Sequence, residues 1–195
     1  MTGRSIIVTG GFGVLGQAVS AAFAAAGDRV ARVDFAAAPI GGTPAGGLDI
    51  GGADLADAAT AARVVADVVA AQGGLDVLVN VAGGFVWQPL ADDDGTSWPR
   101  MFALNALTCR NMCAAALPAL RQAAQSGRIG AFAARFHGLP TNRSHRVTIE
   151  TDAPEILSRC REDKVDVAVL VPNCPVCHQT SALVARHLEA NGIST

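Results

Sequence analysis

No tyrosine occurs among the 195 residues. Proton transfer that depends on a phenol is therefore excluded for these residues. Lysine is nearly absent too: Lys164, in the turn-like run Glu162-Asp163-Lys164, is the only one. Aromatic residues make up only 5% of the chain, although half of it is hydrophobic. The apolar content is mainly alanine and valine, which suits helices packed closely on a parallel sheet. Net charge is −2 with both signs interspersed, so no basic stripe marks a nucleic-acid or anionic-membrane partner. No apolar run approaches the roughly 18 residues of a membrane span. Met1-Thr2-Gly3-Arg4-Ser5 leads directly into a strand-like run. No signal peptide is therefore expected, and the expected location is cytoplasmic. The five cysteines are accordingly expected to be reduced, with Cys109 and Cys113, at helical spacing, expected in the core.

The first half alternates strand and helix signals. Strands are expected at Ser5–Thr9, Arg29–Asp34, Leu48–Ile50 and Leu75–Val81. Helices are expected at Leu15–Ala26 and Ala53–Ala71. A long helix is expected over Ser97–Ala124, with Ser97 as N-cap and a kink or break at Pro118. Such alternation implies an α/β fold, a Rossmann-like parallel sheet with helices on both faces. The character changes near Gly127–Gly130. Beyond it the pattern predicts a second, partial α/β unit over 130–195. Its expected strands are Arg146–Glu150 and Val165–Val171. Its expected helices run from an Asp152 N-cap to Arg161 and over His178–Ala190. These strands are expected to complete the sheet; an edge left open would favour a homo-oligomer. No internal repeat is present.

Thr9-Gly10-Gly11-Phe12-Gly13-Val14-Leu15-Gly16 lies between the first strand and the first helix. Gly10 permits a tight turn, Gly13 lets backbone approach a pyrophosphate, and Gly16 allows close helix–sheet packing. Backbone N–H groups at the helix start, including the Leu15 region, favour phosphate. Asp34 ends the second strand. A carboxylate there can hold ribose hydroxyls and repels a 2′-phosphate, so the expected ligand is NAD rather than NADP. On a bland reading the turn is an ordinary strand-to-helix loop.

With these residues in place, the sequence resembles the short-chain dehydrogenase/reductase family over about residues 3–129. Asp49-Ile50 looks like its adenine-contacting pair. Asn80-Val81-Ala82-Gly83 is similar to its Asn-Asn-Ala-Gly motif, which adds Asn80, Ala82 and Gly83 to the expected cofactor-binding residues. Asn105 stands where the family keeps a structural and proton-relay asparagine. The resemblance also implies a serine after the fifth strand, then tyrosine and lysine four apart on the next helix, the lysine lowering the tyrosine's pKa. The fifth strand starts at Gly127-Arg128-Ile129 but does not continue, and the tyrosine is missing. The expectation is an oxidoreductase relative unable to transfer hydride.

A second resemblance covers about 128–195. Phe136-His137-Gly138-Leu139-Pro140 onward to Arg146, and Val171-Pro172-Asn173-Cys174-Pro175-Val176-Cys177-His178-Gln179-Thr180, look like the glycine/sarcosine/betaine reductase selenoprotein B family. Thiol-based reduction is what that resemblance implies. From the residues alone, Cys174 and Cys177 sit between a strand and a helix start, where N–H groups stabilise a thiolate. His178 is placed to assist proton transfer. Two idle thiols beside a helix remain the competing reading. Zinc lacks a second cysteine pair, although His137 or His145 is available to complete four ligands, so no metal is assigned. Cys-x-x-Cys-His also matches haem attachment, but without an export signal. His187 is expected at the surface. Two partial resemblances meeting at Gly127–Ile129 suggest a chimeric product.

Overall fold

The computed structural model describes all residues except 1–2, 41–42, 44–45, 93, 131–132, 141–143 and 172–176. It divides into two compact units, Met1–Gly130 and Ala131–Thr195.

The first unit is built on β1 (Ser5–Thr9), β2 (Arg29–Val33), β3 (Leu48–Ile50) and β4 (Val77–Asn80). They form one parallel sheet in the order β3-β2-β1-β4. β1 is central and fully buried, and its alternate side chains feed two cores. Ile6 and Val8 pack with Val30 and, from α1 (Val14–Ala25), with Val19 and Phe23. Ile7 points the other way, into a core with α2 (Ala58–Gln72) and α4 (Thr108–Gln125), where Val64, Val68, Met112 and Ala116 are buried. The two-residue strand period thus requires helices on both faces.

Boundaries shift where capping chemistry decides. α2 begins at Ala58 rather than Ala53, because the Asp57 carboxylate accepts from Thr60 N at 2.8 Å. Gly73, in the left-handed region at φ 75°, closes that helix. The expected single helix over 97–124 consists of α3 (Ser97–Phe102), a π turn (Ala103–Leu107) and α4. Thr96, not Ser97, holds its N-cap position. Thr108 N donates to Ala103 O, five residues back, which defines the wide turn. The helix continues through Pro118. Pro118 and Ala114, whose carbonyl loses its donor, are both exposed, so water can satisfy that oxygen. Cys109 is half-buried and Cys113 exposed, so the pair is not core packing.

At the opposite end of the strands from β4's exit, Asp76 is buried. It accepts from Ser5 N at 2.8 Å and from the Arg128 guanidinium at 2.7 Å. Its Oδ1 has no partner among the described residues. This ion pair fastens the end of α4 to the sheet, 52 positions away in sequence.

In the second unit the strand expectations fail. Arg146–Glu150 is helical: α5 (His145–Val147) runs through a π turn (Thr148–Asp152) into α6 (Ala153–Glu162). Ser144 caps it by accepting from Val147 N at 3.3 Å. Burial of Thr148 and the Arg146–Glu150 pair one turn apart hold a β-branched segment as helix. Asp152 is inside helical backbone and its side chain makes no cap bond. Glu155, in the first turn, pairs with Arg159 one turn on. Val165–Val171 forms only an isolated parallel bridge, Val167 to Ser194. Val167, Val169 and Val171 are exposed. α7 (Cys177–Ala190) packs Val184 and Leu188 against Ile156, Leu157 and Cys160 of α6. His187 is half-buried rather than a surface residue. Its Nε2 is buried without a hydrogen-bond partner among the described residues.

Candidate functional site

The glycine turn connects β1 to α1 at the carboxyl ends of the strands. Gly10 has φ 62°, in the left-handed region, and a Cβ there would stand 2.9 Å from Ala82 N. A Cβ on Gly16 would overlap the carbonyl oxygen of Gly10. These two glycines are therefore required by the turn itself. Gly13 differs: a Cβ there would meet only Gly10 O, at 3.4 Å. Its freedom leaves room on the open side of the turn. Gly13 is the N-cap of α1, no side chain caps the helix, and the first turn carries no acidic residue. Its first N–H groups are thus available to an anion.

Asp34 follows β2 and fixes the turn. Its Oδ2 accepts from Phe12 N at 3.0 Å and its Oδ1 from Ala36 N at 3.0 Å. Thr9, fully buried, accepts on Oγ1 from Val81 N at 3.1 Å and Ala82 N at 3.0 Å. That bond pair holds the exit of β4 beside the glycine turn. Sequence reasoning missed Thr9; its place at the end of the central strand, before the glycines, is the available signal.

A cavity of about 880 Å³ opens here. Of the expected cofactor-binding residues, Gly10, Gly13, Leu15, Gly16, Asp34, Ala82 and Gly83 line it together. Asp49, Ile50 and Asn80 are not among its lining residues. Asp49 is committed elsewhere. Its carboxylate meets the Arg32 guanidinium through two contacts, at 2.7 and 2.6 Å, and accepts from Thr43 Oγ1 at 2.9 Å. Arg32 holds the Asp49 carboxyl below its ordinary range, against the opposing effect of burial. Asn80 donates to Cys113 Sγ at 3.4 Å. The cavity also receives Asp54 and, from α3 and the π turn, Arg100, Ala103 and Leu104. Arg100 was not anticipated.

Asn105, at the middle of the π turn, ties the loop after β4 to the helix. It accepts from Gly84 N at 3.0 Å and donates to Gly84 O and Met101 O, each at 2.9 Å. Lys164, the sole lysine, occupies a left-handed turn at φ 55° after α6 in the second unit.

Of the thiol residues, Cys174 lies outside the described residues. Cys177 is the first residue of α7 and is disulfide-bonded, which departs from five reduced thiols. His178 is exposed. His145 Nε2 lies 3.0 Å from Gln179 Oε1, and His137 Nε2 lies 3.5 Å from Asp163 Oδ2.

A parallel sheet of order 3-2-1-4, covered on both faces and ending in a glycine turn at a helix start, defines a Rossmann-like α/β protein. The chain belongs to the short chain dehydrogenase family, whose sequence model matches residues 4–133. That is an oxidoreductase family binding nicotinamide dinucleotides. The chain is 38% identical over 113 residues to the "Short chain dehydrogenase/reductase dpmpG" of Macrophomina phaseolina, covering 54% of this chain and 65% of that protein. A short chain dehydrogenase from Mycobacterium avium is similar in structure, with TM-score 0.55 and 30% identity, over 65% of this chain and 49% of that one. Another, from Burkholderia cenocepacia J2315 in complex with NADP, matches with TM-score 0.52 and 28% identity, over 61% and 51%. The chain thus spans less than two thirds of the curated relative and about half of each solved structure.

Proposed function

We propose that the first unit binds a nicotinamide dinucleotide, NAD(H) in preference to NADP(H), and does not carry out the hydride transfer typical of its family. The observation that carries this reading is the uncapped start of α1, with Gly13 open on the cavity that Asp34 also lines. The residues fit the group. Gly13 and the N–H groups of Val14 and Leu15 would receive the pyrophosphate. Asp34, held by two backbone N–H groups, would accept from ribose hydroxyls and repel a 2′-phosphate. The nicotinamide supplies a hydride donor or acceptor when bound. What this chain does not provide is the phenol: none of the 195 residues is tyrosine, and Asn105 spends its amide on the Gly84 loop. Calorimetric titration should give saturable heat with NAD and a weaker response with NADP. NADH-driven reduction of ketones should be absent. Silence at millimolar NAD overturns the binding half; ketone reduction that follows the protein through purification overturns the other.

A second reading, a thiol reductase of the selenoprotein B type using Cys174, Cys177 and His178, is supported by the disulfide at Cys177 at the start of α7. After reduction, thiol titration should then find a cysteine ionising well below about 8.5; ordinary values end that reading. A third, a chimeric product without activity, draws on a family match that stops at residue 133. It predicts a melting temperature indifferent to NAD, and a stabilising shift would remove it.

A further inference from the structure

We infer that Arg100 is the counter-ion for the phosphates of a dinucleotide held in the cavity beside the glycine turn, a role that rests on the dinucleotide-binding reading above. The lining includes two carboxylates, Asp34 and Asp54, and Arg100 is its only cation among the described residues. The turn itself offers backbone N–H groups but no full positive charge, α1 contains no basic residue, and Arg32, 5.7 Å over the Phe12 ring, is already paired with Asp49. A pyrophosphate with two negative charges entering beside two carboxylates needs a compensating cation.

Arg100 is uncommitted. Elsewhere in the first unit Arg4 pairs with Asp28, Arg32 with Asp49 and Arg128 with Asp76. Arg100 makes no ion pair among the described residues, and its hydrogen bonds there are backbone ones, from its N to Thr96 O and from Ala103 N to its carbonyl oxygen. It is nevertheless carried to the cavity by a rigid element. It stands one helical turn before Leu104, which also lines the cavity, and Ala103, three residues after it, opens the π turn that Asn105 pins to the Gly84 loop. A guanidinium presents paired donors in one plane, which matches phosphate oxygens better than an ammonium does. An exposed arginine on a helix is usually a solvated charge; its place in the lining of this cavity, without a partner, sets Arg100 apart.

The experiment is calorimetric titration of wild type, Arg100→Ala and Arg100→Lys with NAD, ADP and adenosine at two salt concentrations. Arg100→Ala should weaken NAD and ADP by about tenfold and leave adenosine unchanged. Arg100→Lys should recover part of the loss, and the alanine variant should show the weaker salt dependence. Arg100→Gln, which keeps most of the side-chain length, carries the same expectation should the alanine variant lose its fold. Equal affinity of wild type and variants for NAD overturns the role of Arg100 and leaves dinucleotide binding standing. Equal weakening of adenosine overturns it too, because the effect is then one of cavity shape. A wild-type protein that binds no NAD removes both.

Discussion

The two units use similar apolar residues for different ends. In the first, Ile6, Ile7 and Val8 are completely buried because β1 has a hydrogen-bonded strand on each side and a helical layer on each face. In the second, Val167, Val169 and Val171 are 63%, 85% and 78% exposed, and only Val165, Ala168 and Leu170 of that segment pack on the α6–α7 core. Both segments are short runs rich in β-branched residues, which favour a strand. Whether such a run becomes a strand depends on partners for its backbone N–H and C=O groups. One bridge at Val167 does not provide them.

The largest expected effect separates the two cores. Met112 and Leu188 are both fully buried, one in each unit. Met112→Ala and Leu188→Ala should each cost about 3 kcal/mol. Urea unfolding followed by probes in each unit should show each variant shifting its own unit's transition; a single common shift would break the division into two cores. Next comes the clasp under the sheet. Arg128→Ala leaves the buried Asp76 with Ser5 N as partner and should cost about 2 kcal/mol, discounted because Arg128 is partly exposed. An unchanged denaturation midpoint would deny the clasp its role.

Acid should weaken the first unit through Asp49. Its carboxyl ionises more readily when folded, chiefly because it is hydrogen-bonded to Arg32. Its contribution is therefore complete above the unfolded value of about 3.9 and is lost as pH falls below that toward the lower folded value. Denaturation midpoints of wild type and Asp49→Asn should converge as the solution is acidified through that window; curves that stay parallel would sink this attribution. Smallest is Arg159→Ala in the second unit. It removes an exposed pair with Glu155 and should change stability by no more than about 0.5 kcal/mol, as read from melting curves.

The glycine turn was legible because its requirement is steric and local: Gly10 needs positive φ, and Gly16 has no room for a Cβ. Asp34 was legible by its place at the end of β2. Arg32–Asp49 was not, since a pair 17 residues apart exists only once β2 and β3 are in register. The helix at 152–161 is legible in the sequence, whereas 146–150 reads as a strand because Val147, Thr148 and Ile149 are β-branched. The cap at Ser144 and the burial of Thr148 outweigh that preference. The π turn left no mark in the apolar periodicity; it is written in hydrogen bonds of Asn105 and Thr108 to distant or adjacent carbonyls.

By itself, the sequence determined the alternation of strands and helices in the first unit, the phosphate-type turn and the lack of a phenol. Those follow from steric rules and residue identity, which need no neighbours. The tertiary structure alone decided which carboxylates remain free, which valines find a sheet and which cation reaches the cavity. Each of these depends on groups far apart in the chain meeting at hydrogen-bond distance, and local preference carries no information about that meeting.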